Sequence, residues 1–183
     1  MPTTPPVCDF GVPASDFMLK STQGDRRDLA SVAGPNGLVI AFICNHCPYV
    51  LAVLDRIIRD ARDLAPLGVG FAAVCSNDAR AYPADSFDNM VQLAQDQALP
   101  FPYLHDEDQS VARAYGAECT PDFFGYNGDL KLQYRGRIDA SRGSAGPADL
   151  RRDLFEAMSL VAETGDGPRD QIASMGCSIK WAG

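Results

Sequence analysis

The sequence is short of basic charge: 16 lysines and arginines stand against 24 aspartates and glutamates, a formal net charge of −8 over 183 residues. That balance excludes nucleic acids and anionic membrane surfaces as expected partners, since both are bound through a basic face. No apolar run approaches the ~20 residues that span a bilayer, and Met1-Pro2-Thr3-Thr4-Pro5-Pro6 lacks the basic start and apolar stretch of a signal peptide. The cytoplasm is the expected compartment. Thiols are kept reduced there, so the six cysteines do not read as a static three-bridge framework. Internal repeats, low-complexity blocks and interior linkers are also missing. One domain over 1–183 follows, with a core of about 16–163, a Pro-rich arm over 1–15 and a tail over 164–183. With 46% hydrophobic residues, a chain of this length buries a core without disulfide staples.

What is present is an alternating pattern. Asp16–Ser21 and the segment near Arg26–Leu29 flank the turn Thr22-Gln23-Gly24-Asp25, a hairpin ahead of the main fold. Residues 38–43 are continuously apolar and too short for a helix, which suits a central strand covered on both faces. From Val50, apolar residues at 50, 54, 57, 61 and 64 form one stripe, with Asp55, Arg56, Arg59, Asp60, Arg62 and Asp63 on a solvated face. Val69–Cys75 is a second buried strand. Pro83 is expected to open a further helix, a short helix over about 109–115 ends at Gly116, and Asn127-Gly128 predicts a two-residue hairpin turn between Asp122–Tyr126 and Leu130–Arg135. A last helix turns Leu150, Leu154, Ala157, Met158 and Val161 inward. The order βαβα, then ββα, is an α/β sandwich around a mixed sheet.

Cys44-Asn45-His46-Cys47-Pro48 falls at the corner between the first core strand and its helix. A helix start carries unpaired N–H groups and partial positive charge, which stabilise a thiolate, the form that attacks disulfides. Cys44 is the expected nucleophile. Two intervening residues let Cys47 reach it as the resolving thiol. Half of a zinc site and an inert structural pair are the competing readings, although Cys8, Cys75, Cys119, Cys177 and His105 form no second ligand pair. The tail carries the only tryptophan, Trp181, beside Met175, Cys177 and Ile179, and such side chains gain by burial, so the tail is expected to pack back on the domain.

The βαβα–ββα order, the Cys44–Cys47 pair at the first corner and Thr120-Pro121 directly before the hairpin resemble the thioredoxin fold, here with an N-terminal β-hairpin extension and a C-terminal tail. Longer stretches, Phe42–Val50, Ser76-Asn77-Asp78, Cys119-Thr120-Pro121-Asp122 and Gly176–Trp181, resemble the peroxiredoxin-like branch of the AhpC/TSA and redoxin superfamily. The resemblance implies a thiol–disulfide oxidoreductase acting on protein or small-molecule thiols and disulfides, with no cofactor and no metal. It implies a cis bond before Pro121, packing of that proline on the thiol pair, and a Thr120 backbone free to pair with an extended substrate. His46 matches in position the histidine of disulfide isomerases and is expected to favour a Cys44 thiolate. Cys119 and Cys177 are candidate accessory thiols.

Two departures from the family pattern stand out. The Pro-x-x-x-Thr/Ser-x-x-Cys motif of peroxiredoxins would end at Cys47, but Ile40 and Cys44 occupy its proline and hydroxyl positions. The buried aspartate of thioredoxin is replaced by Leu38, leaving Glu118 or a water to accept the second thiol's proton. A thiol peroxidase and a non-enzymatic binding module are the alternatives. Arg135, Arg137 and Arg142 are read as solvated charges.

Overall fold

The structure, a computed structural model, describes residues 1–183. Its strands are β1 (Pro2–Thr3), β2 (Met18–Ser21), β3 (Arg26–Asp28), β4 (Gly37–Phe42), β5 (Val69–Cys75), β6 (Tyr103–His105), β7 (Cys119–Thr120), β8 (Asp122–Asn127), β9 (Leu132–Gly136) and β10 (Gly176–Ser178). Its helices are α1 (Leu29–Val32), α2 (Pro48–Leu51), α3 (Leu54–Leu64), α4 (Phe87–Asp96), α5 (Ser110–Tyr115) and α6 (Asp153–Thr164). Two strand groups, β3-β2-β6-β5 and β4-β8-β9, form the central sheet. They meet where the Ile43 N–H donates to the Val74 carbonyl at 2.9 Å. The sheet is mixed, with β5 and β6 parallel and the other paired strands antiparallel.

Period-two alternation assigns β4 and β5 to two cores at once. Val39, Ala41, Phe71, Ala73 and Cys75 face the side covered by α3, α4 and α6, where Ile57, Ala61, Met90, Leu154 and Met158 pack. Leu38, Ile40, Phe42, Ala72 and Val74 face the other side, against Leu29 and Val32 of α1 and Val111, Ala112 and Tyr115 of α5. Both faces of β4 are thus dry, and its six residues are all buried. The end of β4 is a fixed platform for whatever the next residues carry.

Five local expectations are corrected. The helix from Val50 is interrupted at Ala52 and Val53, giving α2 and α3. Its polar face is solvated only in part: Asp55, Arg62 and Asp63 are exposed, but the Arg56 guanidinium binds the Asp139 carboxylate at 2.7 Å and the Gly146 carbonyl, and buried Asp60 takes Arg152 at 2.6 Å. Pro83 opens a single 3-10 turn, Pro83–Asp85, and α4 starts after the Ser86 cap. The β8–β9 connection is longer than a two-residue turn, because the Asn127 side chain accepts from the N–H groups of Asp129 (3.1 Å) and Lys131 (3.0 Å) and Leu130 takes a left-handed conformation. Arg135 is buried rather than solvated, paired with Asp122 at 3.1 Å, and Arg137 binds Asp153 at 2.7 Å.

The tail packs on the domain. The strand β10 pairs antiparallel with β7 on one side and β1 on the other. Beyond it, Lys180 N–H donates to Asn77 Oδ1 at 2.9 Å, the Lys180 carbonyl accepts from Asp78 N–H at 2.8 Å, and Trp181 lies over the Arg113 guanidinium.

Candidate functional site

The chain leaves β4 through Ile43 and turns at Cys44-Asn45-His46 into α2, whose N-cap is Cys47. The Val50 and Leu51 N–H groups donate to the Cys47 carbonyl at 3.0 Å, fixing the corner. All six cysteines are free thiols, so the pair stands in its reduced form. Both sulfur-bearing residues are only 1% exposed. The bond between Thr120 and Pro121 is cis, and this segment closes over the sulfurs. Cys44 Sγ lies 3.6 Å from Thr120 Oγ1, and Cys47 Sγ lies 3.3 Å from the Thr120 carbonyl.

A buried carboxylate organises the loop. Asp85, fully buried, accepts from the Asn45 N–H at 2.8 Å and from Asn77 Nδ2 at 2.9 Å. It also stands 2.7 Å from His46 Nδ1, a contact in which the ring nitrogen is not aligned for a hydrogen bond. Asn45 is held from its other end, where Tyr103 O–H donates to Asn45 Oδ1 at 2.8 Å. The His46 ring stacks on Tyr82, with centroids 5.9 Å apart. Cys44 Sγ, a His46 ring nitrogen and an Asp85 oxygen all lie within 4.8 Å of one another. A thiolate, an imidazole and a carboxylate at this spacing are a set able to meet on one metal ion.

The electrostatics separate the two thiols. Cys47 is pushed down to about 4, foremost by a hydrogen bond from the Cys44 thiol, then by the Cys177 and Thr120 side chains and the Cys177 backbone. Cys44 is pushed up by that same bond to Cys47, by burial and by the Asp85 charge. The contact to the Thr120 carbonyl suits a Cys47 thiol and opposes its ionisation, but the donors facing the sulfur outnumber it. The two thiols titrate as one pair, and Cys47, farther from Asp85, is the better holder of the charge. The sequence expectation had the opposite order, with Cys44 the lower.

The profile of the AhpC/TSA family matches residues 10–140. The chain belongs to the AhpC/TSA family. Among solved structures, an uncharacterized conserved protein from Geobacillus kaustophilus is 42% identical, with a TM-score of 0.93 over 100% of this chain and 97% of that one. A hypothetical protein from Sinorhizobium meliloti 1021 is 37% identical, with a TM-score of 0.92 over 98% of each chain. At the level of fold alone, a secreted Mycobacterium tuberculosis disulfide oxidoreductase matches with a TM-score of 0.57 and 18% identity, over 80% of this chain and 94% of that one. No curated protein matches. The thioredoxin-type α/β fold with a mixed central sheet is therefore that of a redoxin.

Within this AhpC/TSA protein the sequence-derived residues do not all converge. Cys44, Cys47, His46, Thr120 and Pro121 come together, and Cys177 joins them because β10 sets it directly opposite Thr120. The Thr120 backbone, expected to be free for an extended substrate, is already paired with β10. Cys119 is fully buried beside them, its thiol 3.5 Å from the Pro121 carbonyl and pushed up by burial and by Asp122. Cys75 is a core thiol pushed up to about 12 by burial. His105 stacks on Phe87 away from the pair. Glu118 is exposed and offers the pair no carboxylate. The carboxylate beside the thiols is Asp85, which sequence reasoning missed: a lone aspartate after Pro83-Ala84 carries no local signal.

Proposed function

We propose that this AhpC/TSA protein is a thiol–disulfide oxidoreductase working through the Cys44–Cys47 pair. The observation that carries the reading is the pair itself: two thiols buried at a strand–helix corner, both in contact with Thr120 beside the cis Pro121, with one of them favoured as thiolate. A thiolate at Cys47 attacks a disulfide sulfur, and Cys44 then attacks Cys47 in the mixed disulfide and releases the second product thiol. This reverses the roles expected from sequence position, for the electrostatic reason that Asp85 stands beside Cys44. Asp85 and His46 position the loop and sit within reach of the Cys44 proton. Thr120 and Pro121 form the wall against which a partner's sulfur is presented, a presentation that requires β10 to give way.

The partners in this reading are protein or low-molecular-weight disulfides. Exchange with insulin or oxidised glutathione tests it. Expected are a Cys44–Cys47 link on peptide mapping of the oxidised protein and loss of exchange in both Cys44→Ser and Cys47→Ser. Wild-type protein that forms no such link, or a Cys47→Ser variant that keeps full exchange, overturns it.

A second reading, peroxide reduction, is favoured by one observation: the sulfur pushed down to about 4 is Cys47, at the position matching the peroxide-reactive cysteine of peroxiredoxins. The missing hydroxyl and proline at Cys44 and Ile40 weigh against it. Peroxide consumption with a thiol reductant separates the two readings.

A further inference from the structure

Three thiols, not two, meet at this site, and they differ in access. Cys44 and Cys47 are both 1% exposed, whereas Cys177 is partly exposed. Register brings Cys177 in: it is the residue opposite Thr120, whose carbonyl lies 3.3 Å from Cys47 Sγ, and its side chain packs on the core that contains Cys47. The Cys44 and Cys177 thiols both lower the Cys47 sulfur, and Cys47 in turn raises Cys177, so the three thiols sense one another.

The placement of Cys177 is built. Gly176 passes so close to Thr120 that a Cβ there would collide with the Thr120 carbonyl. Ser174 Oγ donates to the Gly136 carbonyl at 2.9 Å before the strand. After it, Ile179 N–H donates to the Glu118 carbonyl at 3.0 Å and Gln109 Nε2 to the Lys180 carbonyl at 2.8 Å. On the outer edge, Pro2 of β1 stands opposite Cys177. Anchors on both sides hold the Cys177 backbone in its place opposite Thr120. A thiol meant only to fill space needs no such contact with a reactive sulfur.

We propose, resting on the dithiol reading above, that Cys177 is the outward redox thiol of the site, which receives the disulfide from the buried pair and presents it to an external thiol reductant. In the first step the Cys177 sulfur attacks Cys47 in the Cys44–Cys47 disulfide. The 44–47 bond breaks, the 47–177 bond forms, and the proton lost by Cys177 ends on Cys44. In the second step a reductant thiol such as glutathione attacks the accessible Cys177 sulfur and expels Cys47 as thiolate, and a second thiol releases Cys177 and carries away the disulfide. Two reductant thiols become one disulfide, and the buried pair gains two electrons. Two features favour this direction. Oxidation of the pair removes the Cys47 charge, one of the causes that hold the Cys177 thiol up at about 11. The thiol expelled in the second step is Cys47, lowered foremost by the Cys44 thiol that is free again at this stage, and low-pKa thiols leave fastest.

Wild-type protein oxidised by one equivalent of oxidised glutathione is quenched with maleimide and mapped. A free Cys44 in part of the population, marking a 47–177 bridge, is the expected result, and label confined to Cys177 overturns the proposal. Cys44→Ser treated with the same oxidant should hold a Cys47–Cys177 link, and its absence also overturns it. In Cys177→Ser the 44–47 disulfide should still form, but its reduction by glutathione should slow at least tenfold; reduction at the wild-type rate overturns the outward role. If Cys177→Ser forms no 44–47 disulfide while Cys44→Ser forms the 47–177 link, the dithiol reading is what fails. If the 44–47 disulfide forms and is reduced equally fast without Cys177, this inference alone fails.

Discussion

Replacing Cys44 by alanine removes the foremost donor to the Cys47 sulfur, and its effect can be worked out from the site. In the reduced protein Cys47 is pushed down to about 4, with the Cys44 thiol as the largest cause and Cys177 and Thr120 behind it. A hydrogen bond to a charged group contributes ~1.5–3 kcal/mol, and a shift of one pH unit is about 1.4 kcal/mol. Loss of the Cys44 donor should therefore raise the Cys47 titration by ~1–2 units, leaving it still below neutrality because the other donors remain. The assay is thiolate absorbance near 240 nm in reduced protein, followed by pH-dependent alkylation with peptide mapping. Wild type should show one thiolate's absorbance already present at pH 6 and flat to pH 8, assigned to Cys47 by the mapping. Cys47→Ser should lose that plateau, and Cys44→Ala should shift its acid limb upward. A plateau that survives in Cys47→Ser, or an acid limb unmoved in Cys44→Ala, refutes the reasoning that places the charge on Cys47.

Three further outcomes follow from the surroundings of the pair. Asp85→Ala orphans the Asn45 N–H and Asn77 Nδ2, each costing ~1–3 kcal/mol when buried without a partner; urea melts should show a loss of ~2–5 kcal/mol, and a loss below ~1 kcal/mol would deny Asp85 its organising role. His46→Gln removes the imidazole beside Asp85 and Cys44, so the reduced pair should be less stabilised and the potential should fall by a few tens of millivolts, about 30 mV for each 1.4 kcal/mol; a glutathione titration with no shift assigns His46 to loop packing alone. Asp122 is pushed up to about 6 by burial against the pull of Arg135. The folded state therefore holds this proton where the unfolded chain has lost it, so its contribution to stability is full below pH ~4 and is lost as pH rises through about 6; Asp122→Asn should flatten that segment of the stability profile, and an unchanged slope would contradict the assignment.

Sequence legibility tracked how local each feature is. The residues of β4 read as a buried strand because a continuous apolar run too short for a helix is a local signal, and its alternate residues fill the two cores. The Cys44–Cys47 corner was legible for the same reason: a strand end and a helix start are both local signals. The break at Ala52–Val53 was not, because Val50, Val53, Leu54 and Ile57 keep one buried stripe across it, and apolar spacing cannot detect an interruption that leaves the stripe intact. Arg56 and Asp60 read as solvated because what covers them, the loop around Asp139–Pro147 over Arg56 and Arg152 over Asp60, arrives from far along the chain.

The same argument explains why sequence position alone does not order the two thiols. Position in Cys-x-x-Cys says which residue is nearer the strand, but ionisation is decided by what faces each sulfur. Three of those neighbours come from elsewhere: Asp85 from the turn before α4, Thr120 from β7 and Cys177 from β10. Asp85 adds negative charge near Cys44, while Thr120 and Cys177 add donors at Cys47. Each is a single residue whose type is unremarkable in its own segment. Only the fold makes them a set, with Gly176 letting β10 approach Thr120 closely enough for Cys177 to reach the pair. Substituting valine for Gly176 therefore acts on the chemistry through the backbone: it should separate β10 from β7, weaken the Cys177 donor to Cys47 and raise the Cys47 titration, with both sulfurs of the pair left in place.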